Sequence, residues 1–138
     1  MKKFESEYHK IKFPIDIIYR HLSDFRNFNF MANEGRLQDW QADKSKCSFK
    51  TSPKDYYSLL ITKEVENQQI TIEGDGKFPF VFVFHIQMRT FGVNETEIRL
   101  VLEAKLNFFY RLIVSGYLRK FVNDFARQLS DSFNANHS

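Results

Sequence analysis

Histidine is the side chain best suited to acid–base chemistry, because its ordinary pKa of about 6.5 lets it donate and accept a proton near neutral pH. The chain has four histidines. His9 and His85 fall on the faces of predicted strands that point to solvent. His21 comes just before the end of a predicted helix, and His137 lies in the C-terminal tail. Because this pattern brings no two of them together, the sequence predicts no catalytic residues.

Cys47 is the one cysteine, and it shares a strand face with Phe49. A thiol in that position is expected to be buried and to pack, rather than to act as a nucleophile. A lone cysteine also excludes an internal disulfide. No His-x-x-x-His or Cys-x-x-Cys spacing brings metal ligands together locally. The sequence therefore predicts no metal site and no cofactor.

Carboxylates near the end of the sheet region alternate with cations. Glu95, Glu97 and Glu103 are interleaved with Arg99 and Lys105. This spacing is typical of charge pairs between neighbouring strands on a solvent-facing surface. We interpret them as a ladder of ion pairs and not as a catalytic pair of carboxylates.

Few polar groups remain that could hold a substrate. Gly74 and Gly76 join two predicted strands, and no helix N-terminus follows them, so turn formation explains them better than phosphate binding. Tyr57 is the polar side chain best placed to face the interior, and Ser6 and Tyr8 are weaker candidates.

Composition indicates a globular protein with an aromatic interior. The chain has 138 residues, the size of one domain, with 43% hydrophobic and 27% charged residues. Aromatic residues reach 17%, and 16 of them are Phe. The net charge of +3 is scattered, with no block of like charges, so no nucleic-acid partner is expected.

Several features favour a cytoplasmic location. The N-terminal residues are charged and alternating, without the apolar core of a secretory signal. No apolar run approaches the roughly 20 residues that span a bilayer, so membrane insertion is not expected.

The first third of the sequence predicts one strand and two short helices. The alternation from Phe4 to Tyr8 is typical of a strand with one face inward. Pro14 favours a helix start, and the apolar spacing continues to Leu22. Asp24 can cap a second brief helix that ends before the Asn33-Glu34-Gly35 turn.

Six strands separated by short polar turns follow, which is typical of an antiparallel meander. The last two strands are the longest, and each alternates apolar and polar residues. The six strands are marked by Leu37 to Ala42, Cys47 to Thr51, Tyr57 with Leu59 and Ile61, Ile70 with Ile72, Phe80 to Met88, and Ile98 to Leu106.

A long helix from Phe109 to Phe133 closes the chain, and Asn107 is its expected N-cap. Apolar residues recur every three or four positions along one face, which must be buried. They are Val114, Leu118, Phe121, Phe125, Leu129 and Phe133. The other face carries Arg111, Arg119, Lys120 and Arg127, interrupted by Asp124 and Asp131. That basic face is similar to a membrane-surface helix, but we expect the apolar face of the sheet to cover the helix.

This order of elements resembles the helix-grip fold of the START-like, SRPBCC-type superfamily, which includes plant pollen allergens and bacterial polyketide cyclases. Local segments look like small bacterial members of unassigned function: Phe4-Glu5-Ser6-Glu7, Leu22-Ser23-Asp24-Phe25, and Asn107-Phe108-Phe109 leading into Val114-Ser115. The likeness covers the whole chain. It implies a single α+β domain over residues 1–138, in which a curved antiparallel sheet of about seven strands wraps around the C-terminal helix.

In such a fold the space between sheet and helix is either filled or left as a ligand cavity, and the sequence does not decide between them. Our leading hypothesis is a cavity that binds a small hydrophobic or amphipathic molecule, a lipid for example, and opens near the Asn33-Glu34-Gly35 loop. Its predicted lining residues are Trp40, Phe49, Tyr57, Leu59, Ile61, Ile72, Phe82, Phe84, Ile86, Leu100, Leu102, Leu118, Phe121 and Phe125.

Two other hypotheses stay open. The first is a polyketide cyclase or dehydratase with Tyr57 or a strand-end residue as proton donor, which rests on the resemblance alone. The second is a protein-interaction module, as in the heat-shock-protein activators that the fold resembles, or a homodimer joined through a sheet edge or an exposed aromatic patch.

Overall fold

The computed structural model describes residues 1–31, 37–76 and 78–136. These residues form an antiparallel sheet and a long C-terminal helix, which confirms the predicted α+β helix-grip arrangement. The elements are β1 (Lys2–Glu5), β2 (His9–Ile11), α1 (Ile15–Leu22), a 3-10 helix (Phe25–Met31), β3 (Gln38–Ala42), β4 (Lys46–Ser52), β5 (Asp55–Val65), β6 (Gln69–Asp75), β7 (Phe82–Thr90), β8 (Thr96–Ala104) and α2 (Phe108–Asn136). The predicted Asn33-Glu34-Gly35 turn and His137 lie outside the described residues.

The sheet is the predicted meander with one edge completed by the N-terminus. Its strand order is β1-β8-β7-β6-β5-β4-β3, and β2 also pairs with β8. In the β7–β8 pair Phe84 lies opposite Leu102, and Ile86 lies opposite Leu100. Side chains alternate between the two faces of a strand, so this register places the apolar residues of both strands on one concave face.

The single N-terminal strand predicted from Phe4 to Tyr8 is wrong, because the chain forms two short strands with a break at Ser6. The Ser6 backbone N–H donates to the Leu100 carbonyl at 2.9 Å. The Leu100 N–H donates in turn to the Ser6 hydroxyl at 2.8 Å, so a side-chain oxygen takes the place of a backbone partner. The sheet therefore has eight strands instead of about seven.

The two short helices follow as predicted, although the second is a 3-10 helix. Pro14 precedes α1, which buries Ile18 and Leu22. Asp24 stands at the start of the 3-10 helix, where its carboxylate accepts the backbone N–H of Arg26 at 3.0 Å. α1 packs beside the end of α2, since Phe133 contacts the ring of His21 at 4.4 Å between centroids.

The long helix begins at its predicted cap. The Asn107 side-chain oxygen accepts the backbone N–H of Tyr110 at 2.9 Å. From Leu118 onward the predicted apolar face is buried in the core, with Phe121 as the exception at 40% exposure. The first half of the helix is largely exposed. α2 lies nearest to β8, β2 and β1, which leaves the concave side of β3 to β5 without helical cover from it.

Candidate functional site

The residues predicted to line a cavity lie on the concave face and on the side of α2 that faces it, and they divide by burial. The buried ones are Phe49, Ile72, Phe84, Ile86, Leu100, Leu102, Leu118 and Phe125. The half-buried ones are Trp40, Tyr57, Leu59, Ile61 and Phe82, while Phe121 is exposed. The predicted set is thus a packed end beside α2 and an open end on β3, β5 and the start of β7.

An unbroken chain of aromatic rings crosses the open end. Successive ring centroids are 4.8 to 6.3 Å apart. We call this set the aromatic row, and in spatial order it comprises Trp40, Phe49, Tyr57, Phe78, Phe82, Phe80 and Tyr110. Distances of this size are typical of favourable aromatic pairs. The row connects β3 to the first turn of α2.

Sequence reasoning missed three members of the row as lining residues: Phe78, Phe80 and Tyr110. Phe78 and Phe80 are two positions apart and continue the alternation of β7 toward the N-terminus. That spacing indicates that the inward face of the strand continues to Phe78. Pro79 argues against a strand at this point, because proline cannot donate a backbone hydrogen bond to a neighbouring strand. No sequence pattern indicated that Tyr110 belongs to the lining, since its contact with Phe80 depends on where α2 begins relative to β7.

Gly74 has a packing role that differs from the predicted turn role. It lies inside β6 opposite Leu59. A Cβ atom at Gly74 would come within 2.7 Å of the Phe78 ring and 2.9 Å of the Phe82 ring. The missing side chain therefore lets two rings of the aromatic row lie against the backbone of β6. Gly76 does form a turn, with a φ of 110°.

Two polar groups belong to the aromatic row. The Trp40 indole N–H donates to the side-chain oxygen of Asn29 at 3.1 Å. Within the described parts of the chain, the Tyr57 hydroxyl forms no hydrogen bond, while its ring contacts Phe49 and Phe78. The Tyr57 hydroxyl is therefore free to donate to, or accept from, a bound molecule.

The described histidines lie on other parts of the molecule. His85 is on the opposite face of the sheet, where Nδ1 lies 3.0 Å from the Thr71 hydroxyl and Nε2 lies 3.5 Å from Glu103. His21 packs on Phe133, and His9 lies on β2 beside α2. None of these three side chains reaches the aromatic row.

Cys47 is buried, as predicted, with 1% of its surface exposed. Burial raises the pKa of its thiol to about 12. The thiol therefore stays protonated at neutral pH and cannot serve as a thiolate nucleophile.

The predicted ladder of charge pairs is present on the outer face of the sheet. Glu97 pairs with Arg89 at 3.4 Å, and Arg99 pairs with Glu5 of β1 at 3.3 Å. Tyr8 lies on this face as well, with the Arg89 guanidinium 3.6 Å from its ring centroid. Ser6 and Tyr8, the weaker candidates for a polar group inside the cavity, therefore lie away from the aromatic row. The Ser6 hydroxyl bonds to Leu100 of β8, and the Tyr8 ring packs against the Arg89 guanidinium.

Two concavities of the described structure lie outside the predicted cavity. One of about 340 Å³ is lined by residues that include Tyr8, Gln69 and Gln87. The other, of about 520 Å³, lies between the β1–β2 connection and α2, with Ser6 and Arg127 on its walls. Neither is lined by any of the fourteen predicted residues. The side chains of the open end are half-buried and therefore accessible to solvent, and we call this part of the concave face the groove.

Metal binding and membrane crossing each require a recognisable arrangement of residues. The described residues contain no cluster of three or more His, Cys, Asp and Glu side chains with the geometry of a metal site. Within these residues, no helix combines the length and the apolar character needed to cross a bilayer.

Solved structures of the same architecture cover nearly the whole chain. A START superfamily protein from Mycobacterium smegmatis aligns with a TM-score of 0.66 at 12% identity, over 97% of this chain and 95% of that one. The chain has a START-like fold. The predicted resemblance is therefore confirmed at the level of the fold.

Two other solved structures share this fold. Norcoclaurine synthase from Thalictrum flavum, in complex with dopamine and hydroxybenzaldehyde, aligns with a TM-score of 0.73 at 10% identity, over 99% of this chain and 88% of that one. The Aha1 dimer from Colwellia psychrerythraea aligns with a TM-score of 0.63 at 15% identity, over the full length of both chains. Comparisons with protein-family models and with curated proteins gave no match. Likeness at 10 to 15% identity shows the fold alone, so function must be argued from the site.

Proposed function

We propose that this protein binds a small apolar or amphipathic molecule in the groove of the concave face, over the aromatic row. One observation carries the proposal: the row is apolar and contiguous, yet most of its rings are only half-buried. In the neighbouring core of the same sheet, Ile86 and Leu100 lie opposite each other and are fully buried. A half-covered aromatic floor beside a complete core is the arrangement expected where a ligand supplies the missing cover.

The physical gain from such cover is large enough for specific binding. A ligand that removes about 200 Å² of apolar surface from water gains about 5 kcal/mol, before the cost of association. The ring contacts of the row hold its side chains in place, so little further side-chain freedom is lost on binding. The free Tyr57 hydroxyl supplies one polar contact to orient an amphipathic molecule.

The comparison with norcoclaurine synthase supports this choice of ligand class. That protein has the same fold and is seen in complex with two small molecules, dopamine and hydroxybenzaldehyde. Catalysis is not part of the proposal, because proton transfer needs a second group beside Tyr57, and the described histidines lie away from the aromatic row.

A larger side chain on the floor of the groove should block ligand binding and so tests the proposal. Leu59 faces the groove from β5, and its neighbour Leu60 is half-buried on the opposite face of the same strand. Leu59→Trp should abolish binding of an apolar fluorescent dye such as anilinonaphthalene sulfonate, while Leu60→Trp leaves binding unchanged. Circular dichroism of both variants checks that they fold.

Native mass spectrometry of the protein, purified without organic solvent, provides a second measurement. A retained small molecule that is lost in Leu59→Trp would support the proposal. Equal dye binding by the wild type and both variants would refute it, since the bound surface would then lie outside the groove. Absence of both dye binding and retained ligand in the wild type would also refute it.

A further inference from the structure

The two halves of α2 have opposite surroundings. Beyond Leu118 the helix buries Val122, Phe125, Leu129 and Phe133, each at 8% exposure or less. Before Tyr117 its large apolar residues are in water: Phe109 is 76% exposed and Ile113 is 75% exposed. Phe109 and Ile113 lie outside the predicted apolar face, which begins at Val114 and packs against the core from there on, with Phe121 as the 40% exposed exception.

The exposed apolar residues form one continuous surface. Side chains three and four positions apart are neighbours on a helix, so the exposed residues of the first three turns adjoin one another. We call this surface the apolar tip, and it comprises Phe108, Phe109, Leu112, Ile113 and Tyr117, each 67% exposed or more.

The stretch of chain that carries the apolar tip is basic, and Arg119 at its end shares a concavity with Glu5, Glu7 and Asp124. Between Lys105 and Asn123 the sequence has no Asp or Glu. It has four cations in that stretch: Lys105, Arg111, Arg119 and Lys120. Within the described parts of the chain none of these four forms an ion pair, and the N-terminal end of α2 adds the positive end of the helix dipole.

The charge and shape of the apolar tip together indicate which kind of partner binds it. A second copy docking through the same surface would bring two sets of these cations together, which is unfavourable. The apolar residues also cover a wide arc of a convex helix end, and a rigid protein partner would need a deep matching groove to cover them. A fluid lipid surface covers a convex apolar surface without such a match, and anionic headgroups neutralise the cations.

We propose that the apolar tip docks the protein onto anionic membrane surfaces. Phe108, Phe109, Leu112 and Ile113 enter the boundary between headgroups and acyl chains, and the four cations contact lipid phosphates. The helix lies at the interface and does not span the bilayer. Docking does not depend on ligand binding in the groove, although the aromatic row ends at Tyr110, beside the tip.

The test is flotation of the full chain with vesicles. One set contains phosphatidylcholine alone, and the other contains phosphatidylcholine and phosphatidylglycerol in equal amounts. We expect binding to the second set, weakened by added salt. Ile113→Ser should lower the partition coefficient about tenfold, since it removes an apolar side chain from the interface. Lys120→Gln should lower it about fivefold on the anionic vesicles.

Val93→Ser is the matched control, because Val93 is 88% exposed in the turn between β7 and β8, away from α2. It should float like the wild type. All substituted residues are exposed, so thermal unfolding should hardly change and a loss of binding cannot reflect misfolding.

Three results would overturn the proposal. The first is failure to float with the anionic vesicles at low salt. The second is flotation that Ile113→Ser leaves unchanged, which would place the contact elsewhere. The third is a concentration-dependent dimer in sedimentation that Ile113→Ser abolishes, which would make a second copy the occupant.

Discussion

The rings of Phe121 and Phe125 are stacked one helical turn apart on α2, with centroids 5.7 Å apart and planes at 15°. Both also contact Phe84 of β7. Their environments differ, because Phe121 is 40% exposed and Phe125 is 8% exposed. The edge of the buried face of α2 therefore passes between two residues of the same type.

That boundary predicts unequal costs for the same substitution. Phe125→Ala removes a ring from the core and should lower the free energy of unfolding by about 3 to 5 kcal/mol. Phe121→Ala removes a partly solvated ring and should cost about 1 kcal/mol. Urea unfolding of both variants measures the difference. Equal losses would show that the core extends past Phe121 toward the start of the helix.

Gly74 should not tolerate a methyl group. Gly74→Ala places a Cβ against the rings of Phe78 and Phe82, and the strain of displacing them should cost about 1 to 3 kcal/mol. Gly116→Ala is the control, because a Cβ there meets nothing within 4 Å and a helix gains about 0.5 to 1 kcal/mol from that change. Opposite shifts in the unfolding midpoint are expected. A stabilising Gly74→Ala would mean that the two rings do not rest on β6.

Ser6 should matter for stability because its hydroxyl accepts the buried N–H of Leu100. Ser6→Ala leaves that donor without its partner and should cost about 1 to 3 kcal/mol. Ser132→Ala is the comparison, since the Ser132 hydroxyl bonds only to a carbonyl of its own helix, and its loss should be within about 0.5 kcal/mol. Hydrogen exchange at the Leu100 amide gives a local measurement. Unchanged protection of that amide would contradict the prediction.

The buried Cys47 thiol should make the free energy of unfolding depend on pH in the alkaline range. Burial raises its pKa to about 12 from an ordinary value of 9.0, so the folded state holds the proton more tightly than the unfolded state does. The resulting stability is complete below pH 9.0 and is lost as the pH rises toward about 12. Cys47→Ala should therefore lose less stability than the wild type over that range. Fast alkylation of Cys47 by iodoacetamide at pH 8 in the folded protein would contradict a buried, protonated thiol.

Tyr57 should orient amphipathic ligands in the groove. Tyr57→Phe removes the free hydroxyl and should weaken binding of a probe with a polar end by about fivefold, the value of one hydrogen bond. A purely hydrocarbon probe should bind as before. Tyr56→Phe is the matched control, since Tyr56 is 54% exposed on the other face of β5. Equal affinity of wild type and Tyr57→Phe for the polar probe would assign its orientation to another group.

Much of the fold follows from local patterns in the sequence. Alternation of apolar and polar residues predicted β7 and β8 and their inward faces, because side chains of a strand point alternately to its two sides. Local patterns also predicted the Asn107 cap and the burial of Leu129 and Phe133. Capping and helical spacing depend only on residues a few positions apart in the sequence.

The tertiary structure decided the features that depend on distant parts of the chain. The break at Ser6 exists because Leu100, far away in sequence, offers its backbone to the serine hydroxyl. The contact of Gly74 with Phe78 and Phe82 depends on how the chain returns from β6 to β7. The 40% exposure of Phe121, which belongs to the predicted apolar face, depends on how far the opposing surface extends beneath α2. An apolar stripe in the sequence specifies which face of a helix can be buried, but only the position of the opposing surface determines how much of that face is covered.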